Sequence, residues 1–215
     1  MPPVFRTLQG HAPYADTVAA MQAHAAAIRT GTAGEEVWFL EHHPVLTGGT
    51  SAETGDLVAP GDIPVHQTGR GGQWTWHGPG QRVAYVMLDL QRRRPDVRAY
   101  VHDLESWIIT ALAGFGIDGV RREGLPGIWT PSPEVAGRLD KIAAIGVRIS
   151  RWVTWHGIAV NLDPDMAGFE AIIPCGVRDG GVTSLRRLGV TADMAALDAA
   201  LRDSFAAIFP DPADS

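Results

Sequence analysis

The sequence contains a single cysteine, a single lysine and no long uninterrupted apolar segment. One cysteine cannot form an intramolecular disulfide, so the fold must depend on its apolar core, as expected in a reducing compartment. The first twenty residues lack the basic start and continuous apolar run of an export signal, and no later stretch is long enough to span a bilayer. These features predict a cytoplasmic protein with no membrane segment.

Lysine is nearly absent although basic residues are common. Of the 18 basic residues, seventeen are arginines and one is Lys141. A GC-rich genome explains this bias, because it replaces lysine by arginine wherever either residue serves. Retention of Lys141 then indicates a position that needs a compact amine able to lose its proton, although chance survival remains an alternative.

The length and composition fit one globular domain spanning residues 1–215, with two small lobes as an alternative. Apolar residues make up 45% of the chain and charged residues 20%, and the net charge is −6. An acidic chain disfavours general nucleic-acid binding. Local arginine clusters predict either a docking surface for an acidic protein or a solvated surface; they comprise Arg92, Arg93, Arg94, Arg121, Arg122, Arg186 and Arg187.

Hydrophobic periodicity predicts helices at residues 13–30, 97–117 and 192–209. Strand-like runs lie between them, and residues 48–64 are rich in loop-forming types. The strand-like segments are 35–49, 82–90, 127–130, 141–150 and 153–162, with a strand and hairpin expected within 65–81. Only Arg151 and Trp152 separate the last pair of these runs, which predicts an antiparallel hairpin. The expected fold class is α+β, or mixed α/β.

Cys175 and Lys141 are the residues best suited to nucleophilic chemistry. A thiol attacks as thiolate, and a nearby cation or base increases the thiolate fraction. Cys175 lies in the segment IIPCGV, where Pro174 and Gly176 predict a rigid exposed turn. A lone cysteine also serves as a small buried hydrophobic residue, and that alternative remains open.

The segment RGGQWTWHGPGQ, residues 70–81, combines backbone amides, one cation, one imidazole and two indoles. This combination suits an apolar slot with a polar rim, such as an acyl site. The segment lacks the Lys-Ser/Thr end of a P-loop, so nucleotide binding is not supported. A glycine hairpin packed by Trp74 and Trp76 is the structural alternative.

The eight histidines do not predict a metal site. Their spacing lacks His-x-x-x-His and Cys-x-x-Cys pairs, and the adjacent His42 and His43 would point to opposite faces of a strand. His77 and His156 each lie beside glycine in strand-like segments. Each is expected either to line the site or to be hydrogen-bonded within the fold.

Taken together, these segments resemble the lipoyl(octanoyl) transferase family. The resemblance covers roughly residues 35–188 and runs in order through RGGQWTWHGPGQ, VAYVMLDL, YVHDLE, GIWT, KIAAIGVRIS, HGIAVNL, IIPCGV and GVTSL. It implies the fold of the biotin and lipoate protein ligases. The tryptophans at 74 and 76 depart from the residues often found there, which implies an altered acyl-chain length preference.

The resemblance implies roles for individual residues. Cys175 would carry the acyl thioester, and Lys141 would lower the pKa of its thiol. The implied acyl-binding residues are Arg70, Gly71, Gly72, Gln73, Trp74, Thr75, Trp76, His77, Ala144, Ile145, Gly146, Gly157, Ile158 and Ala159.

The implied activity is transfer of octanoyl from octanoyl-acyl carrier protein to the target lysine of lipoyl domains, the first step of endogenous protein lipoylation. The acceptors would be 2-oxoacid dehydrogenase subunits and the glycine cleavage H protein. No ATP, metal or other cofactor is implied, because the thioester is already activated, and a monomer is expected. Two alternatives remain: an ATP-dependent lipoate or biotin protein ligase, and a non-catalytic acyl- or carrier-binding module.

Overall fold

Three helices form where the hydrophobic periodicity predicts them. In a computed structural model of the protein, which describes residues 2–173 and 180–211, they are Tyr14–Arg29 (α1), Val97–Ala113 (α2) and Met194–Ile208 (α3). The side chains of Asp96 and Asp193 accept hydrogen bonds from the first turns of α2 and α3. These aspartates fix the starts of both helices by satisfying backbone donors that have no partner within the helix.

The strands form two sheets. Their bounds are Val4–Ala12 (β1), Glu36–His42 (β2), Val45–Gly48 (β3), Val65–Gln67 (β4), Trp74–His77 (β5), Gln81–Met87 (β6), Val120–Arg122 (β7), Leu125–Pro131 (β8), Leu139–Ser150 (β9), Val153–Asn161 (β10) and Gly181–Val182 (β11). The main sheet has the order β1-β2-β6-β10-β9-β8-β7, with β11 also paired to β9, and the small sheet has the order β4-β3-β5. Strands β1 and β2 pair in parallel, as do β9 and β11. The predicted α+β class is confirmed.

The central strands of the main sheet are buried on both faces. Along β6, Tyr85 and Met87 pack with residues of α1, whereas Ala84 and Val86 pack with residues of α2 and α3. Because successive side chains of a strand point to opposite faces, α1 covers one face and the other two helices cover the other. Every residue of β6 is buried, which explains the uninterrupted apolar run at residues 83–87.

Two predictions about the strands were wrong. Residues 35–49 form two strands, β2 and β3, which belong to different sheets. Residues 65–81 do not form a hairpin, because β4 and β5 lie on opposite sides of β3 and do not pair with each other. Strand β1, strand β7 and the 3-10 turns Thr54–Asp56 and Met166–Ala171 were not predicted. Turn residues show where a strand ends but not which distant strand it joins.

The hairpin of β9 and β10 is confirmed. Arg151 and Trp152 connect the strands, and both have left-handed backbone conformations, with φ of 49° and 67°. Two-residue hairpin turns favour this conformation because it matches the twist of the strands, but they favour Asn and Gly in it. The backbone at Arg151 and Trp152 is therefore strained, because two bulky residues adopt left-handed conformations at the tip of this hairpin. No helix within residues 2–173 and 180–211 is long and apolar enough to cross a membrane.

Replacing the turn by Asn-Gly, in the double variant Arg151→Asn/Trp152→Gly, is expected to raise the free energy of unfolding by about 1 kcal/mol. The reason is that these residues adopt left-handed backbone at little cost. Urea unfolding monitored by circular dichroism measures the change. Ser150→Gly is the matched control; it lies outside the strained pair and should lower stability by about 0.5–1 kcal/mol. Equal destabilisation by both changes would show that the turn is not strained.

Candidate active site

A cavity of about 380 Å³ lies against the main sheet. Strands β5, β6, β9 and β10 and the loop before β5 supply most of its wall. Most of the residues predicted for acyl binding line it: Arg70, Gly71, Gly72, Gln73, Trp74, Thr75, His77, Ala144, Ile145, Gly146, Gly157, Ile158 and Ala159. Lys141 lines the same cavity. Cys175 lies outside the described residues.

The two predicted tryptophans have different positions. Trp74 lines the cavity, and its indole N–H donates to the Glu53 carbonyl at 2.7 Å. Trp76 does not belong to the described residues that line the cavity, and it packs instead against Phe169, with ring centroids 5.2 Å apart. A Cβ atom on Gly168 would lie 2.3 Å from the Trp76 ring, so the indole fills a tight pocket of its own. Trp76 therefore supports the small sheet rather than the cavity wall.

Arg70 holds the glycine-rich loop in place. Its guanidinium donates to the carbonyls of Thr47, Gly71 and Gln73 at 2.6, 2.9 and 2.9 Å. The side chain thereby ties the loop to β3 in the small sheet. Arg70 therefore stabilises the conformation of the loop that forms this part of the cavity wall.

The same loop rests directly on the main sheet. The backbone N–H of Gly71 donates to the Val147 carbonyl of β9 at 2.8 Å. A Cβ atom on Gly146 would lie 3.1 Å from both the Gly71 carbonyl and the Arg70 side chain. Glycine at 146 therefore permits the close approach that closes one side of the cavity.

A bulge in β9 turns Lys141 toward the cavity. Ala143 pairs with Ile128 and Lys141 pairs with Trp129, which leaves Ile142 as an extra residue in β9. Ile142 and Ala143 both join the core beneath α2 and α3, whereas Lys141 shares the cavity wall with Ala144. An extra residue in one strand redirects the side chains that follow it. Without it, regular alternation would place Lys141 on the core side.

The Lys141 side chain is buried and held at its amine. Its Nζ donates to the Pro126 carbonyl at 3.0 Å and lies 4.7 Å from the centroid of the Trp129 ring. Gly127, between these two contacts in sequence, has a φ of +124°. A Cβ atom there would lie 3.2 Å from both Cε and Nζ of Lys141 and 2.6 Å from the Ala143 carbonyl. The path of the lysine thus depends on glycine at 127.

His42 is a buried neutral imidazole next to the cavity wall. Its Nδ1 lies 2.8 Å from the Ala12 carbonyl, which can only accept, so Nδ1 carries the hydrogen. Its Nε2 then accepts from the hydroxyl of Tyr85 at 2.7 Å. Burial lowers the pKa of His42 to about 4. Burial also raises the pKa of Tyr85 well above its ordinary value, which keeps that donor protonated.

His77 begins a chain of buried hydrogen bonds. Its Nδ1 donates to the Gln81 side-chain oxygen at 2.6 Å, Gln81 donates to the Asn161 side-chain oxygen at 2.9 Å, and Asn161 donates to the Thr183 carbonyl at 2.9 Å. Burial, with His42 nearby, lowers the pKa of His77 to about 3. The ring is therefore neutral, and its Nε2 is a hydrogen-bond acceptor at the cavity.

His156 has a strained backbone with φ of 59°, within β10. Its ring stacks on Trp155, with centroids 5.4 Å apart, and meets the edge of Tyr85. Burial lowers the pKa of His156 to about 3.

Sequence reasoning identified His77 and His156 as possible lining residues, and both line the cavity. It gave no role to four other residues that line the cavity, Tyr14, Tyr85, Gln81 and Asn161, although the last three lie within the motifs VAYVMLDL, RGGQWTWHGPGQ and HGIAVNL. Within the described ranges, no three His, Cys, Asp or Glu side chains are grouped to hold a metal ion.

The arginine clusters differ in their availability to a partner. Arg93 forms a buried ion pair with Glu35 at 2.6 Å, so it stabilises the fold and is not part of a docking surface. Arg121 pairs with Glu105 at 3.0 Å and is about one third exposed. Arg186 and Arg187 are more exposed and form ion pairs with surface carboxylates. A docking role for Arg93 is therefore wrong, and for the other clustered arginines it stays a prediction.

Acid is expected to destabilise the fold between pH 6.5 and 5, because His42, His77 and His156 stay neutral in the folded chain but take up protons when it unfolds. Their folded pKa values of about 4, 3 and 3 lie below the unfolded value, so their stabilising effect is present at high pH and is lost as the pH falls. The three sites together predict a loss of about 3–5 kcal/mol over this range. Urea unfolding at a series of pH values measures it.

His156→Asn tests one of the three contributions, since asparagine tolerates the left-handed backbone. It should reduce the acid-induced loss by about one third. His102→Gln is the control, because the His102 side chain is 63% exposed, and it should leave the loss unchanged. An unaltered loss in His156→Asn would show that the acid sensitivity arises elsewhere.

Comparison with known proteins adds an independent line of evidence. Residues 13–206 match the family model described as the lipoyl protein ligase A/B catalytic domain. An octanoyltransferase of Cereibacter sphaeroides is 55% identical over 210 residues, which cover 95% of this chain and 96% of the relative. An octanoyltransferase of Paramagnetospirillum magneticum is 58% identical over 196 residues, covering 91% and 92%. The similarity thus extends well beyond residues 35–188.

Solved structures share the fold at low sequence identity. A bi-partite lipoate protein ligase from Thermoplasma acidophilum superposes with a TM-score of 0.73 at 16% identity, covering 97% of this chain and 84% of that one. A lipoate-protein ligase A bound with ATP gives a TM-score of 0.70 at 16% identity, covering 97% and 85%. At this level of identity the comparison establishes the fold alone.

Proposed function

The chain belongs to the lipoyl protein ligase A/B catalytic domain family, and we propose that within this family it is an octanoyltransferase. It is an acyltransferase that moves octanoyl groups in protein lipoylation. The observation that carries this assignment is identity of 55–58% to octanoyltransferases over more than nine tenths of the chain. The position of Lys141 on the cavity wall agrees with it.

The reaction proceeds through a thioester on Cys175 in two half-reactions. The Cys175 thiolate attacks the donor thioester, the acyl carbon becomes bonded to Cys175, and the bond to the carrier sulfur breaks, so that the carrier leaves as its thiolate. The amine of the target lysine then attacks this new thioester, forms the amide, and releases Cys175 as thiolate. The proton lost by the amine passes to a base at the site. Ping-pong kinetics follow from this order.

Lys141 is the activating partner in this proposal. Its amine lies at the cavity wall, where a cation favours thiolate over thiol. Chain connectivity supports the pairing, because Val182, seven residues after Cys175, pairs with Lys141 in the sheet. Gly181 and Val182 therefore lie beside β9 at the position of the lysine.

The cavity wall suits an uncharged acyl chain. Its volume of about 380 Å³ lies within the range of small-ligand sites. His77 and His156 are neutral, so an apolar chain that binds against them displaces no counter-ion and buries no imidazolium. Since Trp76 packs outside the cavity wall, Trp74 is the tryptophan of the glycine-rich motif that bears on chain-length preference.

The proposal includes the two protein substrates, the donor and the acceptor of the octanoyl group. Octanoyl-acyl carrier protein is the donor, and lipoyl domains of 2-oxoacid dehydrogenase subunits and the glycine cleavage H protein are the acceptors. A structure of the T. acidophilum ligase was described together with its E2 lipoyl domain, which shows that the fold occurs in such a system. A monomeric state and a cytoplasmic location remain predictions.

Incubation with octanoyl-acyl carrier protein, without ATP, is expected to give an octanoyl adduct detected by intact mass spectrometry. Hydroxylamine should remove it, because thioesters react with this nucleophile, and Cys175→Ser should prevent it. Lys141→Met should slow its formation by about 100-fold, since removal of an activating group commonly costs 10²–10⁴-fold. Lys141→Arg keeps the charge and should fall between the two rates. Arg6→Met, which removes an exposed cation on β1, is the control.

The alternatives predict other outcomes in the same assay. Transfer that appears only after ATP and free octanoate are added would identify a ligase, and Cys175 would then be a packing residue. Tight binding of the carrier protein without transfer would identify a non-catalytic module. Unchanged adduct formation in Lys141→Met would remove Lys141 from the mechanism and leave octanoyl transfer in place.

A further inference from the structure

Two cationic side chains, those of Lys141 and Arg122, lie over the ring of Trp129. Nζ of Lys141 lies 4.7 Å from the ring centroid, and Cζ of Arg122 lies 4.6 Å from it. The indole is 2% exposed, and its N–H donates to the Leu125 carbonyl at 3.3 Å. An aromatic face attracts a cation through its quadrupole, and more strongly where water is excluded. The ring thus offers Lys141 a fixed, desolvated contact.

The strand register makes this contact specific. Trp129 of β8 lies directly opposite Lys141 of β9, and the bulge at Ile142 places the lysine on the same side as the ring. The Pro126 carbonyl accepts from the amine at 3.0 Å. Two groups of β8 therefore contact the amine: the Pro126 carbonyl and the Trp129 indole.

We propose that Trp129 is a positioning residue for Lys141, and that its ring, together with the Pro126 carbonyl, holds the ammonium group at the cavity wall during acyl transfer. This inference rests on the proposed function for its catalytic consequence. The contact between the ring and the lysine is a property of the resting protein and can be tested without substrate. Loss of the ring releases the lysine from its position while the acyl cavity keeps its walls.

A role in packing alone makes a different prediction. Trp129→Phe keeps an aromatic face, whereas Trp129→Met substitutes a flexible apolar chain of about the size of phenylalanine and no ring. Packing predicts similar defects in both variants. Positioning predicts that phenylalanine rescues much of the activity and that methionine does not.

The single lysine allows the contact to be observed directly. Protein grown with ¹³C-lysine gives one set of side-chain resonances, all from Lys141. In the unaltered protein the Cε and Hε signals should be shifted upfield of their unfolded positions by the ring current of Trp129. The shift should shrink in Trp129→Phe and nearly vanish in Trp129→Met. Trp152→Met, which removes an exposed tryptophan at the hairpin tip, is the matched control and should preserve it.

Steady-state kinetics with octanoyl-acyl carrier protein provide the second measurement. Trp129→Met should lower kcat by about 10- to 100-fold, as expected for a displaced catalytic group, with KM within about twofold. Trp129→Phe should retain at least about one third of kcat. Circular dichroism identifies any variant that fails to fold; if methionine does so, Trp129→Leu takes its place and the phenylalanine comparison is kept.

The outcomes separate this proposal from the proposed function. An unchanged lysine resonance in Trp129→Met, or equal kcat losses in the phenylalanine and methionine variants, overturns the positioning role while octanoyl transfer by the unaltered protein stands. A shifted resonance with full kcat also overturns it. Absence of octanoyl transfer by the unaltered protein defeats the proposed function and, with it, the catalytic consequence proposed for Trp129.

Discussion

The extra residue in β9 determines which side of the sheet its neighbours face. Because Ile142 has no separate partner in β8, Ile142 and Ala143 both enter the core, and Lys141 lies with Ala144 at the cavity. The bulge therefore allows adjacent residues to face opposite ways: Ile142 packs in the apolar core beneath the helices, and Lys141 places its amine at the cavity wall. A regular strand of the same sequence would bury the amine against α2 and α3, where a charge without a partner is costly.

The second constraint is the junction between the two sheets. Arg70 binds the carbonyl of Thr47 in the small sheet, and the next residue, Gly71, donates to Val147 in the main sheet. One short loop thus connects both sheets, through the Arg70 guanidinium on one side and the Gly71 backbone N–H on the other, and its position depends on the absence of a side chain at Gly146. The cavity is the space that this junction leaves, so its walls are fixed before any ligand binds. Such pre-organisation lowers the conformational cost of binding.

Local sequence patterns predicted the parts of the fold that local interactions determine. The three helices and the hairpin of β9 and β10 follow from periodicity and short connections. The insertion of β3 between β4 and β5 does not, because pairing over long sequence separations leaves no local signal. In the site, the glycine-rich motif and Lys141 were conspicuous by composition, whereas Tyr14 and Tyr85 lie in ordinary helix and strand patterns. The bulge and the contact with Trp129 depend on register, which composition does not encode.

The geometry also explains why a chain that uses arginine almost everywhere retains lysine at 141. The tetramethylene stem runs beside Gly127, where even a methyl group would approach Cε and Nζ to 3.2 Å. Nζ then fits between the Pro126 carbonyl and the Trp129 ring as a compact point of charge. A guanidinium is longer, planar and branched, and it spreads the charge over three nitrogens. It would need space that β8 occupies, so the position selects for size and shape as well as charge.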